Sequence, residues 1–140
     1  KNPERAAKYH CDKHVSKMIL ESAQMLSTVL GGPYKATHAN HPCTKWLTHS
    51  RANAVWLIDL ARELNNEWRD RYGHYHDHKS WLVIDAMRES VDDLPNRKRT
   101  PFVLAMPDEF KCDDPVQSYR AYYKSKSFAR WDHGKAPRWW

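Results

Sequence analysis

From His10 to Gln24 the chain reads His-Cys-Asp-Lys-His-Val-Ser-Lys-Met-Ile-Leu-Glu-Ser-Ala-Gln. Wound as a helix at 100° per residue, His10, Lys13, His14, Lys17, Glu21 and Gln24 fall within an arc of roughly 100° beside an apolar stripe. That arc puts imidazole, ammonium and carboxylate groups along one groove, where they can serve as acid, base or nucleophile near neutral pH. His10, His14, Lys17 and Glu21 are the candidate catalytic residues. The same residue types also suit a plain solvated face carrying a Lys17–Glu21 ion pair, so the stripe alone leaves both readings open.

Histidine recurs elsewhere. His38 and His41 precede a second helical pattern, His49 lies on it, and His74, His76 and His78 alternate in Gly73-His74-Tyr75-His76-Asp77-His78. Alternate residues of an extended segment share a face, and His10 and His14 stand one helical turn apart; either set can hold a divalent metal. Neither carries the glutamate of an HExxH motif. Cys11, Cys43 and Cys112 form no CxxC pair and no even-numbered disulfide framework, which points to reduced thiols. No metal ligand set and no cofactor is assigned. Phosphate loops, dinucleotide fingerprints and GxSxG elbows are absent from the sequence.

The charge balance suggests the partner. Lys and Arg number 23 against 17 Asp and Glu, a formal net charge of +6. The excess is concentrated in Arg97-Lys98-Arg99 and in the segment from Lys111 to Trp140, where seven bases face three acids. Tyr119, Tyr122, Tyr123, Phe128, Trp131, Trp139 and Trp140 lie among those bases. Cations neutralise phosphates and aromatic faces stack on exposed bases. The expected nucleic-acid contacts are Lys13, Gln24, Arg97, Lys98, Arg99, Lys111, Arg120, Lys124, Lys126, Arg130, Trp131 and Trp139. No apolar run is long enough for a membrane span, and the first residues lack the apolar centre of a secretory signal, so a cytoplasmic location is expected.

These residues must be positioned by helices. With 140 residues, 41% of them hydrophobic, the chain suits one all-α domain over 1–140. About four helices are expected, the first two long. Asn2-Pro3 opens the first, which runs to the stop at Gly31-Gly32-Pro33. The second starts near Asn40 and Pro42 and ends at Gly73. On it Ser50 and Asn53 point with the apolar residues, which predicts buried, hydrogen-bonded side chains. Ser80 is the expected cap of a third helix running towards Asp93. Phe102 to Met106 reads as strand or extended loop. Asp114-Pro115 starts a last helix reaching about Trp131, followed by an irregular tail.

Three segments together carry a resemblance: Ala6-Ala7-Lys8-Tyr9-His10-Cys11-Asp12-Lys13-His14; the long helix from His41 through Trp56 to Arg71-Tyr72-Gly73; and Met106-Pro107-Asp108-Glu109-Phe110-Lys111 with the aromatic-basic end behind it. In this order they resemble the small phage pyrimidine-dimer DNA glycosylases of the endonuclease V type. The Cys-Asp-Lys-His stretch is also similar to one in uncharacterised phage proteins, which would place the chain in a host-cell cytoplasm. The resemblance implies an all-helical protein in which an amine attacks C1′ of a damaged pyrimidine nucleotide, a Schiff base forms and a carboxylate handles protons. It carries His10 over as the first-helix histidine. The family's glutamate follows that histidine by seven residues, where this chain has Lys17; Glu21 stands one turn later. The implied nucleophile is a processed N-terminal amine, or Lys17 in its stead, and Lys1 does not define that terminus. Two other readings rest on the residues alone: a histidine-metal nuclease or phosphohydrolase, and a non-catalytic nucleic-acid binder.

Overall fold

The computed structural model describes residues 2–37 and 39–140; His38 lies outside the described residues. Six α-helices follow one another: α1 (Pro3–Tyr9), α2 (Asp12–Leu30), α3 (Pro42–His49), α4 (Arg51–Tyr72), α5 (Lys79–Ala86) and α6 (Pro115–Lys124). Two 3-10 segments, Arg88–Asp93 and Asp108–Phe110, lie between α5 and α6. There is no strand among the described residues. The all-α expectation holds, but the expected number of about four helices does not, because both long helices are broken.

The first expected helix divides at His10-Cys11. Asn2 caps α1 by accepting from the Arg5 amide at 3.0 Å, and Pro3 fills the first turn. At His10 the backbone turns extended (ψ 136°), and at Cys11 it remains so (ψ 160°). No glycine or proline marks this break. The polar groups it frees find partners across the fold: the Cys11 amide donates to the Tyr123 hydroxyl at 2.8 Å, and the Asp12 amide donates to the Arg130 carbonyl at 2.8 Å. Arg71 reaches the carbonyls of His10 at 2.8 Å and Lys8 at 3.0 Å. Such pairing removes the cost of leaving backbone groups unsatisfied.

The second expected helix divides at Ser50, whose φ of −155° and ψ of 148° separate α3 from α4. Ser50 caps α4, its hydroxyl accepting from the Asn53 amide at 3.0 Å. The Asn53 side chain donates to the Trp46 carbonyl at 2.8 Å and to the Thr100 hydroxyl at 2.9 Å, and accepts from the Thr100 amide at 3.0 Å. Both residues are fully buried, as their position on the apolar face predicts. α5 is capped by His78 rather than Ser80, its Nδ1 accepting from the Ser80 amide at 3.1 Å. α5 ends at Ala86, and the 3-10 segment carries the chain on through Asp93. The 102–106 stretch forms no strand and ends in a bend at Met106, and α6 stops at Lys124 rather than near Trp131.

α4 is the central element. It packs against α1, α2, α3 and α5, and its Leu57, Ile58, Ala61 and Leu64 meet Val15, Ile19, Ala23 and Leu26 of α2 in one apolar cluster. Ala7, Ala23, Ala54 and Ala61 are fully buried, small enough to let the helices approach closely. α6 stands outside this core and is held by side chains such as Ser118, which accepts from the Cys112 amide at 2.9 Å.

Candidate active site

The α1–α2 junction is fastened by Arg71, near the end of α4. Its side chain is 3% exposed. Nε meets Glu67 at 2.9 Å and Nη1 meets Asp12 at 3.1 Å, besides the two carbonyls already named. The second Asp12 oxygen accepts from the His133 amide at 2.9 Å. A buried guanidinium is tolerable because each of its nitrogens donates to an acceptor. Gly134 closes over it: a Cβ there would stand 2.6 Å from the Arg71 Cζ. The junction, the end of α4 and the C-terminal tail thus form one unit, and His10 and His14 are mounted on it.

His10 is not on the α2 stripe. It ends α1, and its Nδ1 lies 2.7 Å from the Ala6 carbonyl, an acceptor, so Nδ1 carries the proton and Nε2 is left as an acceptor. Burial pushes its pKa down, opposed by the Ala6 hydrogen bond; the nearby Arg71 charge lowers it further. His14 lies on α2, its Nδ1 3.0 Å from the Tyr123 hydroxyl. Its ring packs edge-on against Tyr123 and Phe128, with centroids 5.4 and 5.2 Å apart. Burial first, and then the charges of His10, Lys17, Lys126 and Lys13, bring its pKa down to about 4. Both imidazoles are therefore neutral at pH 7. Burial also raises the Tyr123 phenol above its ordinary value, so the hydroxyl keeps its proton.

Further along α2, Lys17 and Glu21 form an ion pair at 3.7 Å, with side chains 56% and 41% exposed. Gln24 sits farther out, lining a shallow groove with Leu20, Pro33, Tyr34, Lys35 and Thr37. Lys13 lies over the Phe128 ring at 5.1 Å. The C-terminal residues close the other side. Trp139 packs on Tyr9 at 5.9 Å and under Arg120 at 5.4 Å, Trp131 packs on Tyr123 at 6.0 Å and Trp140 at 4.8 Å, and Lys126 covers Tyr122 at 3.9 Å. These aromatics mostly pack on one another; Phe128 and Trp140 remain exposed.

Not every expected contact residue gathers here. Arg51 at the start of α4 donates its amide to the Pro95 carbonyl at 2.8 Å, which puts the Arg97-Lys98-Arg99 loop beside that end. Arg71 is twenty residues along the helix, about 30 Å away at 1.5 Å per residue. Lys111 pairs with Asp108 at 2.9 Å, and the Arg130 guanidinium bonds the carbonyls of Ser127 and Ala129. Lys124 is exposed. His74, His76 and His78 surround Trp68, with His74 stacked on its ring at 3.9 Å. No group of three or more His, Cys, Asp or Glu is placed to hold a metal among the described residues. Asp12, Arg71 and Tyr123 are the site residues that sequence reasoning missed. The Asp in Cys-Asp-Lys-His was the one visible signal; the other two lie 59 and 109 residues from their partners.

The model of one family, pyrimidine dimer DNA glycosylase, matches residues 1–83, more than half of the chain. The chain belongs to that family. The matched segment holds α1 to α4 and with them His10, Asp12, His14, Lys17, Glu21 and Arg71; α6 and the tail lie beyond it. Comparison with curated proteins and with solved structures found no match. As a DNA glycosylase of the pyrimidine-dimer family the chain has DNA for its substrate. No helix among the described residues is long and apolar enough to cross a membrane.

Proposed function

We propose that this glycosylase acts on damaged or modified pyrimidine nucleotides through an amine and a Schiff base, with an AP lyase step. The observation that carries the reading is the placement of half-buried His14 with the more open Lys17 and Glu21 along one face of α2, inside the family-matched segment. With His10 off that helix, the spacing implied by the family shifts by one turn: Glu21 follows His14 by seven residues, two turns along the same face and about 10 Å away. Glu21 is then the proton-handling carboxylate, and Lys17 no longer stands in its place.

In this reading an amine nitrogen bonds to C1′ as the C1′–N bond to the pyrimidine breaks, and the base leaves with a proton. The opened sugar is held as an imine, an electron sink that lets a C2′ proton depart to a base as the 3′ phosphate is eliminated. Glu21 moves the protons. Lys17 and an α-amino group are the two possible sources of the amine. The exposure of Lys17 favours phosphate contact for it, because nothing there excludes water as the pocket of a nucleophilic lysine does.

Incubation with DNA carrying a pyrimidine dimer or abasic site, followed by borohydride, should trap a covalent adduct in the presence of chelator. Glu21→Gln should lower the yield on the order of 100-fold. Lys17→Ala should leave the adduct and weaken DNA binding; loss of the adduct would make Lys17 the amine. No adduct from the full natural protein, together with metal-dependent cleavage, would sink the reading in favour of histidine-metal chemistry.

A further inference from the structure

We propose that Tyr123 is a positioning residue of the reacting face: its hydroxyl donates to Nδ1 of His14 and fixes that imidazole as the Nε2–H tautomer, a neutral hydrogen-bond donor towards DNA. The inference rests on the reading that the His14 face of α2 meets the substrate. It adds a residue from α6, outside the segment that identifies the family.

A phenol has one proton and can accept as well. The Tyr123 oxygen accepts from the Cys11 amide at 2.8 Å, so its own proton is free to go elsewhere. His14 Nδ1, at 3.0 Å, is the strong acceptor within reach; the Cys11 thiol beside it is a weak one. His14 is neutral among Lys13, Lys17, Lys126 and His10, so one ring nitrogen keeps a lone pair, and Nδ1 is the nitrogen that the Tyr123 hydroxyl reaches. With Nδ1 accepting, the ring's single proton belongs on Nε2. Edge contacts with Tyr123 and Phe128 hold the ring plane.

His10 is held the opposite way. Its Nδ1–H donates to the Ala6 carbonyl, leaving Nε2 as an acceptor. The junction therefore carries two neutral imidazoles of complementary character, one donor and one acceptor, both beside the same tyrosine ring. A neutral donor can bond a phosphate, sugar or base oxygen without giving up a proton, a role distinct from that of Glu21.

The test is nitrogen NMR of the histidine-labelled full chain together with single-turnover base release. In the wild-type chain His14 should show the Nε2–H tautomer at pH 7. Tyr123→Phe keeps the ring and removes the donor. His14 should then show the other tautomer or a mixture, and base release should slow about tenfold, as for one lost hydrogen bond, with KM nearly unchanged. A wild-type His14 carrying its proton on Nδ1 overturns the proposal even if the variant fails to fold. So does a Tyr123→Phe chain with tautomer and rate unchanged. Absence of a borohydride adduct from a wild-type chain with the expected tautomer and tyrosine-dependent base release would count against the Schiff-base reading and not against this one.

Discussion

His14 and His10 are neutral because the junction buries them, and that has a consequence for stability. The folded pKa of His14 is about 4, and that of His10 is also lowered. In the unfolded chain a histidine titrates near 6.5. Below that value the unfolded state binds protons that the folded state refuses, so stability is fully present above about pH 6.5 and is lost as pH falls towards 4. His78 shifts in the same direction, from burial first and the neighbouring His74 second. The urea midpoint should therefore drop between pH 7 and pH 4.5. His14→Gln should flatten part of the drop, and an unchanged profile would mean that His14 is not held neutral by the fold.

The α3–α4 corner shows how one polar side chain organises an element. Ser50 ends one helix and caps the next, and Asn53 ties the corner to Thr100 on the loop that crosses it. Trp46, Trp56 and Phe102 pack beside that tie, Trp56 and Phe102 with centroids 4.7 Å apart. Asn53→Leu leaves the Trp46 carbonyl and both Thr100 groups without their partner. It should cost on the order of 1–3 kcal/mol, measured by urea unfolding, and detach the 97–103 loop before the core melts. The α1–α2 corner is built differently. No cap side chain closes the start of α2; Tyr123 and Arg71, from distant elements, satisfy the backbone there.

Across the whole molecule two groups of bases stand apart, separated by much of the length of α4. Lys13, Lys17, Arg120 and Lys126 border the histidine junction and the aromatic tail. Arg97 and Arg99 share a surface groove with Arg51 and Trp56 at the far end, where Arg99 lies 4.9 Å from the Phe102 ring. Each phosphate neutralised contributes about −0.9 to the slope of log affinity against log salt. Arg120→Gln with Lys126→Gln should lower that slope by about one to two and also slow base release at saturating enzyme. Arg97→Gln with Arg99→Gln should lower the slope and leave the saturated rate intact. An unchanged slope in the second pair would remove that loop from the DNA contact.

Local chemistry in the sequence determined the helical class, the stops at Gly31 and Gly73, the caps at Asn2 and Asp114, and the burial of Ser50 and Asn53. Each is decided within a few residues, by propensity, capping or periodicity, and so is legible in one dimension. The stripe of Lys13, His14, Lys17 and Glu21 was visible for the same reason. Tertiary structure alone decided that His10 leaves the stripe. Tyr-His-Cys-Asp contains no helix breaker, and a continuous helix there satisfies every local rule. It breaks because Arg71 and Tyr123 offer the freed carbonyls and amide partners in a buried setting. Those partners lie on other elements, where no local spacing reveals them. The His14 tautomer follows from Tyr123, one of those distant partners, whereas the His10 tautomer is set locally by the Ala6 carbonyl, since a proton's place on an imidazole depends on what faces each nitrogen; the burial that depresses both pKa values comes from the tertiary packing.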